Sequence, residues 1–310
     1  MKRTVLKDIL NHCYERTADR GVLFYKVSDH LLYFTVFCAT ARKYKVRVLK
    51  LVQMVDHLHQ GIVEEQAGEL SAFMRECSST FSREYNKAVG RKGPLLDTPF
   101  GSAFKKGDKK VRSTLVYMDN NPVDRKLVKL AEDYQWNYLA YAVSDHPFSE
   151  KLVLRKASMP LRRAIKLVKA IHADGRYLSY ALLQKLFHSL PDDRERNQLT
   201  DFIIVTYSVI QHQEAIRYFG RYEDELTAAH ATSGSEYDIQ EGFIGKSDAY
   251  YGQMTSILLR SGRLEDIHQV FTLPLDEKQE LFALLQKETM APDNQIAAFL
   301  HLPVKGRGVK

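Results

Sequence analysis

Residues 46–89 constrain the fold more than any other stretch. Val46-Arg47-Val48-Leu49-Lys50-Leu51-Val52 alternates as a strand, and after a tight connection around Val55 and Asp56 the run His57-Leu58-His59-Gln60-Gly61-Ile62-Val63 resumes the period of two. Leu70, Phe73, Met74, Cys77, Phe81, Tyr85 and Ala88 then recur at steps of three and four, which predicts one amphipathic helix over 68–89, ended by Gly90-Arg91-Lys92-Gly93-Pro94. Upstream, 10–17 and 21–25 read as short strands around the turn Ala18-Asp19-Arg20, and 29–42 as a buried helix that Asp29 can cap. Downstream, 95–104 suits a strand and 108–121 a helix, with a further helix starting at Asn121-Pro122. The order strand, helix, strand, strand, helix, strand predicts an α+β chain that begins as a ferredoxin-like βαββαβ sandwich.

Ser144-Asp145-His146-Pro147-Phe148-Ser149 reads as a linker, and beyond it the period is helical. Helices are expected at about 160–173, 178–190, 195–217, 249–260, 276–288 and 291–300, with a Gly/Ser/Thr-rich loop over 231–235. This divides the chain into residues 1–145 and an all-helical domain, 151–310, for DNA binding or assembly. Asn294–Leu300 resembles the first helices of a helix-turn-helix. The tail Lys305-Gly306-Arg307-Gly308-Val309-Lys310 is too short and glycine-rich for a recognition helix, so a structural helix pair is expected there.

Of the 310 residues 45% are apolar and 27% charged, a globular composition without the bias of a disordered or coiled-coil chain. The longest nearly apolar stretch, Leu31–Ala41, spans 11 residues, short of the ~18–20 that a membrane helix needs. No secretory signal is visible at Met1–Lys7, so a cytoplasmic location is expected. Cys13, Cys38 and Cys77 are an odd number in apolar surroundings, which predicts reduced core thiols, and no zinc motif is present. The net charge of +7 is uneven: residues 1–150 hold 24 basic and 18 acidic side chains, residues 151–310 hold 21 and 20. Arg42, Lys43, Lys45, Arg47 and Lys50 form one basic run, and Lys105, Lys106, Lys109, Lys110 and Arg112 another, as a polyphosphate partner requires.

Two motifs carry chemistry. On a strand, His57 and His59 point to the same face, so two imidazoles converge as a divalent-cation site can use. Tyr117 and Asn121 lie one helical turn apart and share a face; a tyrosine can serve as a covalent nucleophile, although its phenol needs activation at neutral pH.

The run Leu51-Val52-Gln53-Met54-Val55-Asp56-His57-Leu58-His59, then Glu84-Tyr85-Asn86-Lys87, Gly93-Pro94-Leu95-Leu96, Tyr117-x-x-x-Asn121-Pro122-Val123 and Asp133-Tyr134-Gln135-Trp136-Asn137, resembles the single-tyrosine HUH transposases. The REP-associated tyrosine transposases are the closest subgroup. The resemblance covers about residues 10–142 and implies His57, His59 and Asn121 as ligands of Mg²⁺ or Mn²⁺ and Tyr117 as nucleophile. It implies cleavage of single-stranded DNA beside hairpins, a 5′-phosphotyrosyl link and a 3′-hydroxyl, with a homodimer and exchanged tyrosine helices left open. Two positions depart from the family pattern. Met54-Val55-Asp56 stands for Met-Pro-Asn, and Leu96-Asp97-Thr98-Pro99 lacks the usual aromatic-x-x-Arg. The basic runs would follow the DNA backbone, with Tyr44, Phe100 or Phe104 as stacking platforms.

Two other readings remain at this point. One is a nucleic-acid-binding protein that keeps the fold without catalysis. The other is a two-histidine phosphoesterase, for which His230-Ala231-Thr232 would have to supply a second motif.

Overall fold

A computed structural model describes residues 5–231 and 247–302. Strands β1 (Leu10–Arg16), β2 (Val46–Gln53), β3 (His57–Glu64) and β4 (Gly101–Lys105) form one antiparallel sheet in the order β2-β3-β1-β4. Helix α1 (Val27–Ala41) joins β1 to β2, α2 (Glu69–Val89) joins β3 to β4, and α3 (Asp108–Asp124) follows β4. Alternation assigns the two faces of the sheet. Cys13, Leu58 and Ile62 enter the main core with Phe34, Phe73 and Phe81 of α1 and α2. Leu10, Leu49 and Val63 pack instead against Val111 and Leu115 of α3.

Helix α2 buries the expected stripe, except that Val89 rather than Ala88 closes it. Gly90 ends the helix at φ 69°, a left-handed conformation that costs glycine little, and its N–H returns to the Asn86 carbonyl. Asp29 does cap α1: its carboxylate accepts from the N–H groups of Tyr25 at 2.8 Å and Lys26 at 3.0 Å.

Several expectations are corrected. Residues 21–25, of which 21–24 are buried, form no strand, because the N–H of Val22 goes to the Ala298 carbonyl and those of Leu23 and Phe24 to the Val55 carbonyl. Of 95–104 only the end is a strand, and Leu96 makes an isolated bridge to Thr17. No new helix begins at Pro122. Instead α3 runs through it to Asp124, and single 3-10 turns follow at Ala131–Asp133, Gln135–Asn137 and Leu139–Ala142.

In the C-terminal part lie α4 (Met159–Ala173), α5 (Tyr180–His188), α6 (Asp193–Tyr207), α7 (His212–Ile216), α8 (Tyr222–Ala231), α9 (Ala249–Arg260), α10 (Leu275–Glu288) and α11 (Asp293–Phe299). The helix expected over 195–217 is broken in two. Residues between α6 and α7 run along the edge of β2, where Gln211 donates to the Val48 carbonyl at 2.8 Å, so the edge strand takes a bond that an unbroken helix would keep. Helix α8 was not foreseen. Residues 232–235 of the expected loop, Thr232 of the second histidine motif and the tail 305–310 lie outside the described residues.

Leu161 to Ile210 share the main apolar core with the sheet and α1. Residues 251–300 form a second cluster that takes in Val22. All three cysteines are buried and reduced, and among the described residues no helix is long and apolar enough to cross a membrane.

A buried polar knot ties this last part to α1: His268 Nε2 lies 3.0 Å from one Asp29 oxygen and the Tyr180 hydroxyl donates to the other at 2.9 Å. Burial would lower the His268 pKa, but the Asp29 charge and the hydrogen bonds that His268 donates to Asp266 and Asp29 raise it to about 9. Its contribution is therefore full below the ordinary value near 6.5 and is lost as pH rises through 9. His30, stacked on Trp136, moves the other way: burial pushes it down to about 3, so stability falls as pH drops below 6.5. Thermal melts should therefore peak near pH 6.5 and fall off on both sides of it. The His268→Gln variant should lose an alkaline limb of roughly 3 kcal/mol, and an unchanged limb would refute the assignment.

Candidate active site

Strand β3 places His57 and His59 on the face that α3 covers, and α3 places Tyr117 and Asn121 against them. The rings of His57 and His59 lie 4.8 Å apart and those of His59 and Tyr117 5.6 Å apart. The Asn121 carboxamide nitrogen is 3.2 Å from His59 Nε2. The four side chains expected from sequence are thus brought together within one chain. All four are buried, with Asn121 the most exposed at 6%.

Each imidazole has a partner on its far side. His57 Nδ1 faces the Asp56 carboxylate at 2.5 Å, so a ring proton belongs on Nδ1. Asp56 in turn accepts two bonds from Arg125 Nη2, at 3.1 and 3.0 Å. Burial opposes its ionisation, but the charge and hydrogen bond of His57 and the Arg125 guanidinium hold the carboxyl well below the usual carboxylate range. Asp56 therefore puts a negative charge behind His57. His59 Nδ1 lies 2.9 Å from His12 Nε2. Burial, then the charges of Lys105 and His57, push His12 down to about 3, and burial with the His57 and His12 charges holds His59 well below its ordinary value. His12 and His59 are therefore neutral at pH 7, and neutral is the form in which an imidazole can ligate a metal.

The donor set fits a divalent cation. Among the described residues no group of three or more His, Cys, Asp or Glu could hold a metal, so a cation at this histidine pair would need a donor of another kind, and the amide of Asn121 beside His59 is one that could serve. Its Oδ1 is buried with no hydrogen-bond partner among the described residues, a carbonyl-type donor of the kind that Mn²⁺ and Mg²⁺ accept. Two imidazole nitrogens beside it would suit Mn²⁺ better than the harder Mg²⁺.

The basic runs are placed differently from the expectation. Arg42, Lys43, Lys45 and Arg47 sit where Val46 pairs with Glu64, seven residues along β3 from His57, or about 20 Å. Arg42 donates to the Tyr207 carbonyl, Lys43 pairs with Glu76, and Arg47 pairs with Glu65 and Glu214, so this run is largely engaged inside the chain. Lys50 is not at the surface at all. Lys105 lies on β4 opposite Leu10, and Lys106, Lys109, Lys110 and Arg112 are exposed at the start of α3. This second run is the solvated one, and its field reaches His12 through Lys105.

Of the three proposed platforms, Tyr44 packs its ring on Phe73 and donates its hydroxyl to Glu76, and Phe100 is partly buried. Phe104 is exposed, but it pairs with Asn11 and so faces away from His12. The aromatic residue that does share the His12 face is Tyr14, 41% exposed. It lies over Gly101, where an added Cβ would come within 2.0 Å of the Tyr14 ring, so any larger residue would push the ring from this position. His230, on α8, pairs instead with Glu132.

A sheet-borne histidine pair facing a tyrosine and an asparagine on one helix defines the site. No family model matches the chain, and a search of curated proteins finds no match. Among solved structures it is similar to a REP-associated tyrosine transposase bound to a REP hairpin, at 17% identity and a TM-score of 0.41, over 46% of this chain and 84% of that one.

Proposed function

We propose that the chain is a metal-dependent single-stranded DNA endonuclease and strand-transferase that works through Tyr117. The observation that carries this reading is the convergence of His57, His59, Asn121 and Tyr117 from two elements about 60 residues apart in sequence. The sheet order β2-β3-β1-β4, with helices after β1 and β3, supports a ferredoxin-like domain beneath them. In this reading residues 1–145 carry the chemistry, and the helices of 151–310 add DNA selection or assembly. The solvated Lys106, Lys109, Lys110 and Arg112 would follow the DNA backbone.

His57 Nε2, His59 Nε2 and Asn121 Oδ1 would hold Mn²⁺ or Mg²⁺, which when bound withdraws charge from the nonbridging phosphate oxygens. Asp56 and His12 hold the two imidazoles in the tautomers that leave Nε2 as donor. Tyr117 Oη attacks phosphorus, the P–O3′ bond breaks, and the proton lost by the phenol is matched by the one that the 3′-hydroxyl gains. The phosphotyrosyl bond retains the energy of the phosphodiester, so rejoining needs no nucleotide. Because the tyrosine helix packs within its own chain, one chain completes the set, and a homodimer would be needed only for pairing DNA ends.

The test is to incubate the chain with Mn²⁺ and a pool of 3′-labelled single-stranded hairpins with randomised flanks. A labelled band should run with the protein in denaturing gels and vanish when the metal is chelated. One observation favours a second reading, a DNA-binding protein without catalysis: Tyr117 is only 5% exposed. DNA retention without an adduct under any metal would select that reading.

A further inference from the structure

Beyond the four residues and their immediate partners, the chain of hydrogen bonds behind His57 continues into the C-terminal part. Arg125 closes α3, four residues past Asn121, and is 4% exposed. Its Nη2 donates to both oxygens of Asp56, while its Nε donates to Asp248 Oδ2 at 2.9 Å. The Asp248 N–H donates back to the Arg125 carbonyl at 2.8 Å, so residue 248 grips both ends of that residue. Asp248 is 1% exposed and immediately precedes α9, whose Tyr251, Met254 and Leu258 belong to the second apolar cluster. That cluster is fixed to α1 by the Asp29–His268 contact and by the Tyr25 hydroxyl donating to the Phe299 carbonyl.

We infer that Asp248 is a positioning residue for the metal-ligating histidine: it holds Arg125, which holds Asp56, which fixes the His57 imidazole. The inference rests on the proposed function for its metal but adds a role for residues 247–302, a part of the chain that the motif resemblance leaves out. Partners behind a metal-bound histidine set its tautomer and basicity, and removing them typically weakens metal binding by 10–100-fold. A guanidinium that loses one of two carboxylates stays charged but swings toward the other, and this changes the Asp56–His57 contact without removing any ligand.

The experiment uses the full chain with ¹⁵N-labelled histidine and compares wild type, Asp248→Asn, Asp56→Asn and the double variant. Mn²⁺ affinity, read by electron paramagnetic resonance, should fall about 10-fold or more in Asp56→Asn and several-fold in Asp248→Asn. The double variant should be no weaker than Asp56→Asn alone, because both changes act along one line. A purely structural ion pair would give additive losses. The nitrogen shifts of His57 provide a reading without metal: wild type should show the Nδ1–H tautomer and Asp248→Asn a mixture of tautomers. If wild type binds no Mn²⁺ yet the tautomer responds to Asp248→Asn, the metal reading fails and the positioning role stands. If the Asp248→Asn variant keeps both wild-type tautomer and wild-type affinity, the inference is overturned.

Discussion

Replacing Tyr117 by phenylalanine should abolish the covalent DNA adduct while leaving Mn²⁺ affinity and DNA retention within about twofold of wild type. The change deletes one oxygen from a ring that also belongs to the main apolar core, so packing against His59 and His12 is kept. Phenylalanine offers no nucleophile, and water attack at the same phosphate would give cleavage without a protein-linked product. The complementary variant, His57→Ala with His59→Ala, should lose metal-dependent cleavage but retain DNA, whose affinity comes mostly from phosphate contacts. Denaturing gels with 3′-labelled DNA measure the first effect and a salt titration of binding the second. An adduct in Tyr117→Phe at the wild-type yield would dismiss the nucleophile assignment.

Much of this site was legible because its signals are local. Two histidines separated by one strand residue must share a face, and a tyrosine and an asparagine four apart on a helix must do the same, whatever the rest of the chain does. What sequence could not supply is pairing at a distance. His12 is a single histidine on a short strand, and its place behind His59 depends on β1 lying beside β3 in a particular register. Asp56 adjoins His57 in the sequence, yet its meaning needs Arg125, 69 residues on, and Arg125 needs Asp248. The strand expected at 21–25 has the composition of one, but its N–H groups are taken by Val55 and Ala298, a tertiary outcome that local pattern does not encode.

Lys50 makes the same point energetically and carries the second large prediction. By sequence it belongs to an exposed basic run. In the fold, β2 carries a bulge between Val48 and Lys50, so Leu49 is extra to the ladder and Lys50 lies opposite Gly61 and meets α3. The absence of a side chain at Gly61 makes the room, because a Cβ there would sit 3.3 Å from that of Lys50. The Lys50 ammonium, 3% exposed, donates to Asp119 at 2.7 and 3.0 Å and to Glu225 at 3.1 Å. One cation faces two buried carboxyls, and burial pushes Asp119 up to about 7 despite the lysine. Asp119 lies between Tyr117 and Asn121 on α3, so the triad also seats the helix that carries the site.

Lys50→Met keeps the length of the side chain but strands two carboxyls in the interior, a change that costs about 3–5 kcal/mol when a buried pair loses one partner. The loss should deepen as pH rises from 5 to 8. Without the lysine Asp119 must stay protonated to remain buried, and its raised folded-state pKa favours the unfolded chain as the proton leaves. Replacing all three residues together, Lys50→Met with Asp119→Leu and Glu225→Leu, should recover most of the stability, because apolar groups of similar volume leave no charge unsatisfied. Urea unfolding at pH 5 and pH 8 measures both. A loss below about 1 kcal/mol in Lys50→Met, the size expected of an exposed ion pair, would mean that Lys50 reaches water after all and that the bulge does not bury it.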